Sequence, residues 1–192
     1  RLLAMSDISV DWIEDYLNRY KRTIFNKSVY GDLLKTKELF ENSNKFGDKV
    51  ILAGNGGSAA IASHCSVDLT KNAGIKAINF NEVDLITCFA NDYGYDEWIS
   101  KALDFYSNDK DTVVLISSSG KSSNILKAAK RANENEINLV TFSGFDPSNL
   151  LRKEGKINFW VDSKAYNIVE MTHHIWLLTI VDMIIGSAEY PS

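Results

Sequence analysis

The sequence predicts an α/β protein in which a parallel sheet lies between two layers of helices. Two observations carry that expectation. Five short apolar runs alternate with segments of helical spacing, and the two clusters richest in glycine and serine fall where a strand would end and a helix begin. Such alternation implies parallel pairing through right-handed crossovers, and ligands of these sheets bind beyond the carboxyl ends of the strands.

Each element follows from local pattern. From about Asp11 to Lys45 the spacing is helical. Trp12, Ile13, Tyr16, Leu17, Tyr20 and Ile24 recur at three and four, and a second run holds Leu33, Leu34, Leu39 and Phe40. The rhythm then changes to strands at 49–54 (KVILAG), 76–80 (KAINF), 112–117 (TVVLIS), 137–143 (INLVTFS) and 157–161 (INFWV). Helical spacing fills 58–72, 96–107, 122–135, 147–153 and the tail from 167. The aromatic stretch FNEVDLITCFANDYGY is expected to pack core and interface. Prolines are scarce and no low-complexity linker interrupts the chain, so residues 1–192 are expected to form one domain, with 1–47 as an N-terminal helical extension.

Composition narrows the function. A net charge of −4 argues against a nucleic-acid surface built of lysine and arginine. The two cysteines, Cys65 and Cys88, have neither disulfide nor metal-type spacing and read as free thiols of a reducing compartment. The opening RLLAMSDISVDW lacks a long apolar run, so a cytoplasmic location is expected. The most apolar segment, 168–185, carries Glu170, His173, His174 and Asp182. It is therefore expected to be buried in the core or between subunits, with no membrane involvement.

Two loops are suited to an anion. The first is GNGGSAA, with Asn55, Gly56, Gly57 and Ser58; the second is Ser117-Ser118-Ser119-Gly120-Lys121-Ser122-Ser123-Asn124. Glycines let the backbone approach a ligand closely, and the following helix offers unpaired N–H groups at its positive end. The hydroxyls of Ser117, Ser119 and Ser122 add neutral donors. Neither the P-loop pattern G-x-x-x-x-G-K-[ST] nor the spacing G-x-G-x-x-G is present. The composition suits a dianionic group held without an arginine clamp. Farther along the first helix, His64 and Asp68 are four apart and share a face.

These motifs resemble the sugar isomerase (SIS) family, and within it the phosphoheptose isomerases. The likeness is carried by GNGGSAAIASH with Asp68, NDYGYD (91–96), ISSSGKSSNILKAAKRANE (116–134) and YNIVE (166–170), and runs from residue 49 to 185. It implies a flavodoxin-like five-stranded parallel sheet and a homotetramer with active sites at subunit interfaces, the N-terminal extension serving oligomerisation. It also implies a sugar phosphate bound by Ser117, Ser118, Ser119 and Ser122, with Asn55, Gly56, Gly57 and Ser58 contributing and Asp92 facing the sugar. The implied reaction interconverts sedoheptulose 7-phosphate and an aldose phosphate through an enediol, often with zinc.

The sequence departs from that pattern at its chemical end. His64 matches the family's first histidine, but Asp68 stands where a glutamate belongs, and Val169 and Leu177 occupy the glutamine and histidine positions of the last helix. His64 and Asp68 are thus the remaining metal candidates, and zinc is expected to be weakly held or absent. His173 lies between 169 and 177 on one helical face and is the candidate proton donor, with His64 and Asp68 as the other catalytic candidates. Glu170 is placed to orient His173, and His174 is expected to be buried at a subunit contact. Two functions follow: an aldose–ketose isomerase of a phosphosugar, or a non-catalytic phosphosugar-binding or adaptor protein.

Overall fold

The computed structural model describes residues 8–190, so the first seven residues of the expected N-terminal extension lie outside the described residues. Five strands form one parallel sheet: β1 (Val50–Gly54), β2 (Ala77–Asn79), β3 (Thr112–Ser117), β4 (Asn138–Gly144) and β5 (Ile157–Val161). Their order is β2-β1-β3-β4-β5. The order reverses between β1 and β3, which makes their carboxyl ends the topological switch point where ligands of doubly wound sheets bind.

The strands read as unbroken apolar runs because both faces are covered. On one face Val50, Leu52, Val114, Ile116, Val140 and Phe142 pack under α2 (Tyr30–Lys45), α3 (Gly57–Lys71) and α7 (Tyr166–Ile185). On the other, Ile51, Ala53, Val113, Leu115 and Leu139 pack under α5 (Trp98–Tyr106) and α6 (Ser123–Glu134). The starts of β1 and β3 are pinned by buried Asp111, which accepts from Lys49 N at 2.8 Å and Lys49 Nζ at 2.7 Å.

Two elements differ from the sequence expectation. Residues 83–93 form a helix, α4, where only aromatic packing was foreseen. Its β-branched and aromatic content is poor for a helix in isolation, but Leu85, Ile86, Phe89 and Ala90 rest on the α5–α6 side of the core. Conversely, 147–153 yields only a 3-10 turn at Leu151–Lys153. There Asp146 Oδ1 accepts from Ser148 N at 2.9 Å and Asn149 Oδ1 from Arg152 N at 3.0 Å, so side chains take the amides a longer helix would use.

Helix α1 (Val10–Ile24) starts at Ser9, whose hydroxyl accepts from Trp12 N at 3.3 Å. Its last turn meets α7 through Thr23 and Thr172, whose hydroxyls are 2.8 Å apart, and through Trp176 Nε1, which donates to the Ile24 carbonyl at 3.1 Å. The rest of its apolar side, including Trp12, Ile13 and Leu17, is exposed. Helix α7 is by length and composition apolar enough to cross a membrane. Here it docks on the sheet, burying Ile168, Val169, Thr172, His173, Trp176, Leu177, Ile180 and Val181, and ends at Gly186 in the left-handed conformation.

Candidate active site

The loops after β1 and β3 meet at the switch point around a cavity of about 130 Å³, lined by Asn55, Ser58, Ile116, Ser117, Ser118, Ser119, Ser122, Tyr166 and Glu170. Both adjoining helices open toward it without side-chain caps. Gly56 stands at the N-cap of α3 and Ser122 at that of α6, and neither makes a capping bond. The N–H groups of Ser58 and Ala59 donate to the Asn55 carbonyl and that of Ile125 to Asn124 Oδ1, so of the two first turns the N–H groups of Gly57, Ser123 and Asn124 are the ones open to a ligand, with two positive helix ends behind them. Ser117 Oγ and Ser122 Oγ lie 3.2 Å apart, and Ser119 Oγ accepts from Lys121 N at 3.2 Å. The Ser118 hydroxyl is buried without a well-formed hydrogen bond among the described residues. A buried hydroxyl left unpaired is costly, about 1–3 kcal/mol, unless a ligand satisfies it.

Close approach explains two of the glycines. Gly56 has φ +55, open to a residue without Cβ. A Cβ at Gly57 would collide with the Glu170 carboxylate. That contact seats the first turn of α7 against the first turn of α3. Burial raises the Glu170 carboxyl above its ordinary range, and the neighbouring Ser118 hydroxyl partly opposes the rise.

Asn55 is less free than expected. Its amide makes a reciprocal pair with Asn124, both bonds 2.9 Å, and its Oδ1 also accepts from Tyr95 OH at 3.1 Å. The two loops are therefore braced against each other by side-chain amides. Asn124, Tyr95, Tyr166 and Glu170 are the residues sequence reading missed here. Asn124 sits in the first turn of a helix that follows a strand, which is the signal that marks it, and Glu170 lies at the start of the second turn of α7.

His64 and Asp68 lie outside this cavity, farther along α3; seven residues separate His64 from Gly57, about 10 Å of helix. His64 Nε2 is 3.3 Å from Asp68 Oδ2, and its Nδ1 is 2.8 Å from Nε2 of His174 on α7, the rings meeting edge to face. His174, expected at a subunit contact, is thus a partner of His64 within the chain. Burial first and His64 second lower its basicity, with Asp68 opposing.

Two expected site residues are placed elsewhere, and each expectation is corrected. His173 is fully buried, its Nε2 donating to the Ser143 carbonyl at 2.9 Å and its ring edge-on to Phe142. Burial pushes its pKa down to about 4. It turns toward β4 because that side of α7 faces the sheet, so it neither meets the cavity nor receives orientation from Glu170. Asp92 is exposed on α4, where Asn91 Nδ2 donates to it at 2.9 Å, and it does not line the cavity. From the same motif, Tyr95 reaches Asn55, and Asp96 accepts from Ser123 Oγ at 2.5 Å.

The zinc that the family resemblance implies does not fit the donors of one chain. Val169 and Leu177 are buried and apolar. Asp68 and His174 bind opposite nitrogens of the His64 ring, so the three groups diverge around it, and among the described residues no cluster of three His, Cys, Asp or Glu converges on a metal position.

A doubly wound parallel sheet with a hydroxyl-lined cavity at its switch point defines the class of α/β proteins that bind ligands there, and residues 15–144 match the SIS domain family, to which the chain belongs. Within it the chain falls in the phosphoheptose isomerase-like branch. A phosphoheptose isomerase of Colwellia psychrerythraea is 34% identical over 146 residues, spanning 72% of this chain and 74% of the relative. One from an Enterobacter species is 33% identical over 145 residues, spanning 71% and 76%. In fold, a phosphoheptose isomerase from Francisella tularensis superposes with a TM-score of 0.84 at 24% identity, over 94% of this chain and 100% of the other.

Proposed function

We propose that the protein is a phosphosugar isomerase that interconverts the ketose and aldose forms of sedoheptulose 7-phosphate, or of a similar sugar phosphate, through an enediol. The observation that carries this reading is the cradle at the switch point: two helix N-termini without side-chain caps, a ring of serines, and a Ser118 hydroxyl buried beside the Glu170 carboxyl without a well-formed hydrogen bond. No lysine or arginine lines it, so the ligand charge is met by amides, hydroxyls and helix ends. Relatives named as phosphoheptose isomerases support the choice of substrate.

The site works as an interface between copies of a cytoplasmic homotetramer, with residues 1–192 as one domain and the N-terminal helices as its oligomerisation surface. Two features support that assembly. A cavity of about 130 Å³ is smaller than the roughly 300–1,000 Å³ usual for a ligand pocket, so the outer part of a sugar needs other walls. In addition, α1, α2 and α7 present an open apolar groove lined by Phe25, Tyr30, Leu34, Ile175 and Met183.

Incubating the full chain with sedoheptulose 7-phosphate in D₂O, with and without added zinc, tests the reading. An aldose phosphate carrying deuterium at C2 is the expected product. Binding of sugar phosphates by calorimetry without any turnover would favour the adaptor role, to which the apolar Val169 and Leu177 give specific support.

A further inference from the structure

We propose that Tyr95 is a positioning residue of the anion cavity: with Asn124 it holds the Asn55 side-chain amide so that Asn55 meets a bound phosphate as a hydrogen-bond donor. The inference rests on the phosphosugar-binding part of the reading above and adds to it how one wall of the cavity is set.

One backbone group fixes which way round the amides lie. Ile125 N donates to Asn124 Oδ1 at 3.0 Å, and because a backbone N–H can only donate, the oxygen of Asn124 is the atom that faces it. The same oxygen accepts from Asn55 Nδ2 at 2.9 Å, and Asn124 Nδ2 donates in return to Asn55 Oδ1 at 2.9 Å. With the Asn55 oxygen located in this way, the Tyr95 hydroxyl 3.1 Å from it is the donor of that pair. Asn55 Oδ1 accepts two hydrogen bonds, which fills both of its lone pairs, and Nδ2 gives one of its two N–H groups to Asn124. The second N–H makes no hydrogen bond among the described residues. Asn55 lines the cavity. Its side chain therefore offers a ligand a donor and no acceptor, the polarity an anion requires.

Tyr95 is itself anchored. The connection from α4 to α5 turns at Gly94, φ +89, and each of the next three residues reaches across to the elements that bound the cavity. Tyr95 donates to Asn55, Asp96 accepts from Ser123 Oγ at 2.5 Å, and Glu97 accepts from Lys127 Nζ at 2.6 Å. Ser123 and Lys127 lie in the first two turns of α6, the helix that also carries Asn124, so the two partners of Asn55 share one support. An amide gripped from two separate segments has less rotamer freedom left to lose when a ligand binds, which is how preorganisation raises affinity. The Tyr95 side of this arrangement is at the surface, the residue being 56% exposed, so its effect comes through the hydroxyl and not through core packing.

The test is a double-mutant cycle on the full chain, read by calorimetry against inorganic phosphate and sedoheptulose 7-phosphate. Tyr95→Phe keeps the ring and removes the hydroxyl, and is expected to weaken both ligands on the order of 2–10-fold, the size of one neutral hydrogen bond. Asn55→Ala is expected to weaken both on the order of 10–100-fold, the range for a bond to a charged partner. In the Asn55→Ala background, Tyr95→Phe is expected to change affinity by less than about twofold, because its route to the ligand is gone. Asn55→Ser, which also lacks the amide, serves as the second background should Asn55→Ala fail to fold, and thermal unfolding certifies each variant. A tyrosine that merely supported the fold would cost the same in both backgrounds, and that additivity overturns the inference alone. So does unchanged affinity in Tyr95→Phe, or a loss for the sugar phosphate with none for inorganic phosphate. A wild type that binds neither ligand overturns the phosphosugar reading and this inference with it.

Discussion

The serine cavity and the seam beyond it are bounded by the same two helices yet follow opposite rules. At the cavity, α3 and α7 contribute Ser58 and Glu170 to a wall of small polar groups that also holds Asn55, Ser117, Ser118, Ser119 and Ser122. Around and beyond it the family pattern breaks: Val169, next to Glu170, and Leu177, two turns on, have joined the apolar core, and His64 lies 3.3 Å from Asp68 and 2.8 Å from His174. The hydroxyl-lined cavity is kept, and the polar positions of the family's last helix are not. The cavity combines helix-end N–H groups with several redundant hydroxyls, whereas the seam depends on a few side chains that single substitutions replace.

The sharpest way to break the comparison is to remove the grip. Ser117 and Ser122 face each other across the cavity at 3.2 Å. Hydrogen bonds to a charged partner are worth about 1.5–3 kcal/mol each, so Ser117→Ala with Ser122→Ala is expected to weaken sugar phosphate binding on the order of 10²–10⁴-fold. Calorimetry against sedoheptulose 7-phosphate and inorganic phosphate measures it. Unchanged affinity for both would show that the anion sits elsewhere.

A second prediction separates the two adjacent histidines of α7. His173 is neutral and buried, its pKa lowered from 6.5 to about 4 by loss of hydration. A basic group depressed in the folded state contributes stability above its unfolded pKa, and that stability is lost as pH falls through the folded value. Between pH 6.5 and about 4 the protein is therefore expected to lose about 3 kcal/mol from this group. In His173→Gln that part of the acid slope is expected to vanish, as urea unfolding across this range would show. An identical slope in wild type and variant would mean that the ring is already hydrated.

How much of this was legible beforehand differs between the regions. The sheet was readable because strands buried on both faces leave continuous apolar runs, and the loops because glycine and serine at a strand end leave few other structural explanations. Helix α4 was not, because Val83, Ile86, Thr87 and Phe89 carry little helix propensity and only packing on the core selects their conformation. On α7 the reading placed His173 toward the ligand, but it is buried against β4. Residues 169, 173 and 177 do share a face, but it is the face pressed on the sheet, as burial of all three shows. In a helix apolar nearly all round, periodicity does not say which side meets the ligand. The contact of His174 with His64 becomes visible only once α3 is laid beside α7.

The smallest expected effect tests how the two regions join. Glu170 stands between them, its carboxylate against Gly57 at the positive end of α3 and its pKa raised by burial. An acid raised in the folded state contributes stability that is full below its unfolded pKa, near 4.5, and is lost as pH rises through the folded value. Wherever the carboxyl is ionised it also faces the cavity proposed for a dianion, and like charges at close range oppose binding. Glu170→Gln is therefore expected to raise the midpoint of thermal unfolding at pH 7 but not at pH 4, and to tighten inorganic phosphate binding a few-fold at pH 7. Weaker phosphate binding in the variant would reverse the assignment. It would mean that the carboxylate organises the amides of α3 for the ligand, and that grip and chemistry share a residue.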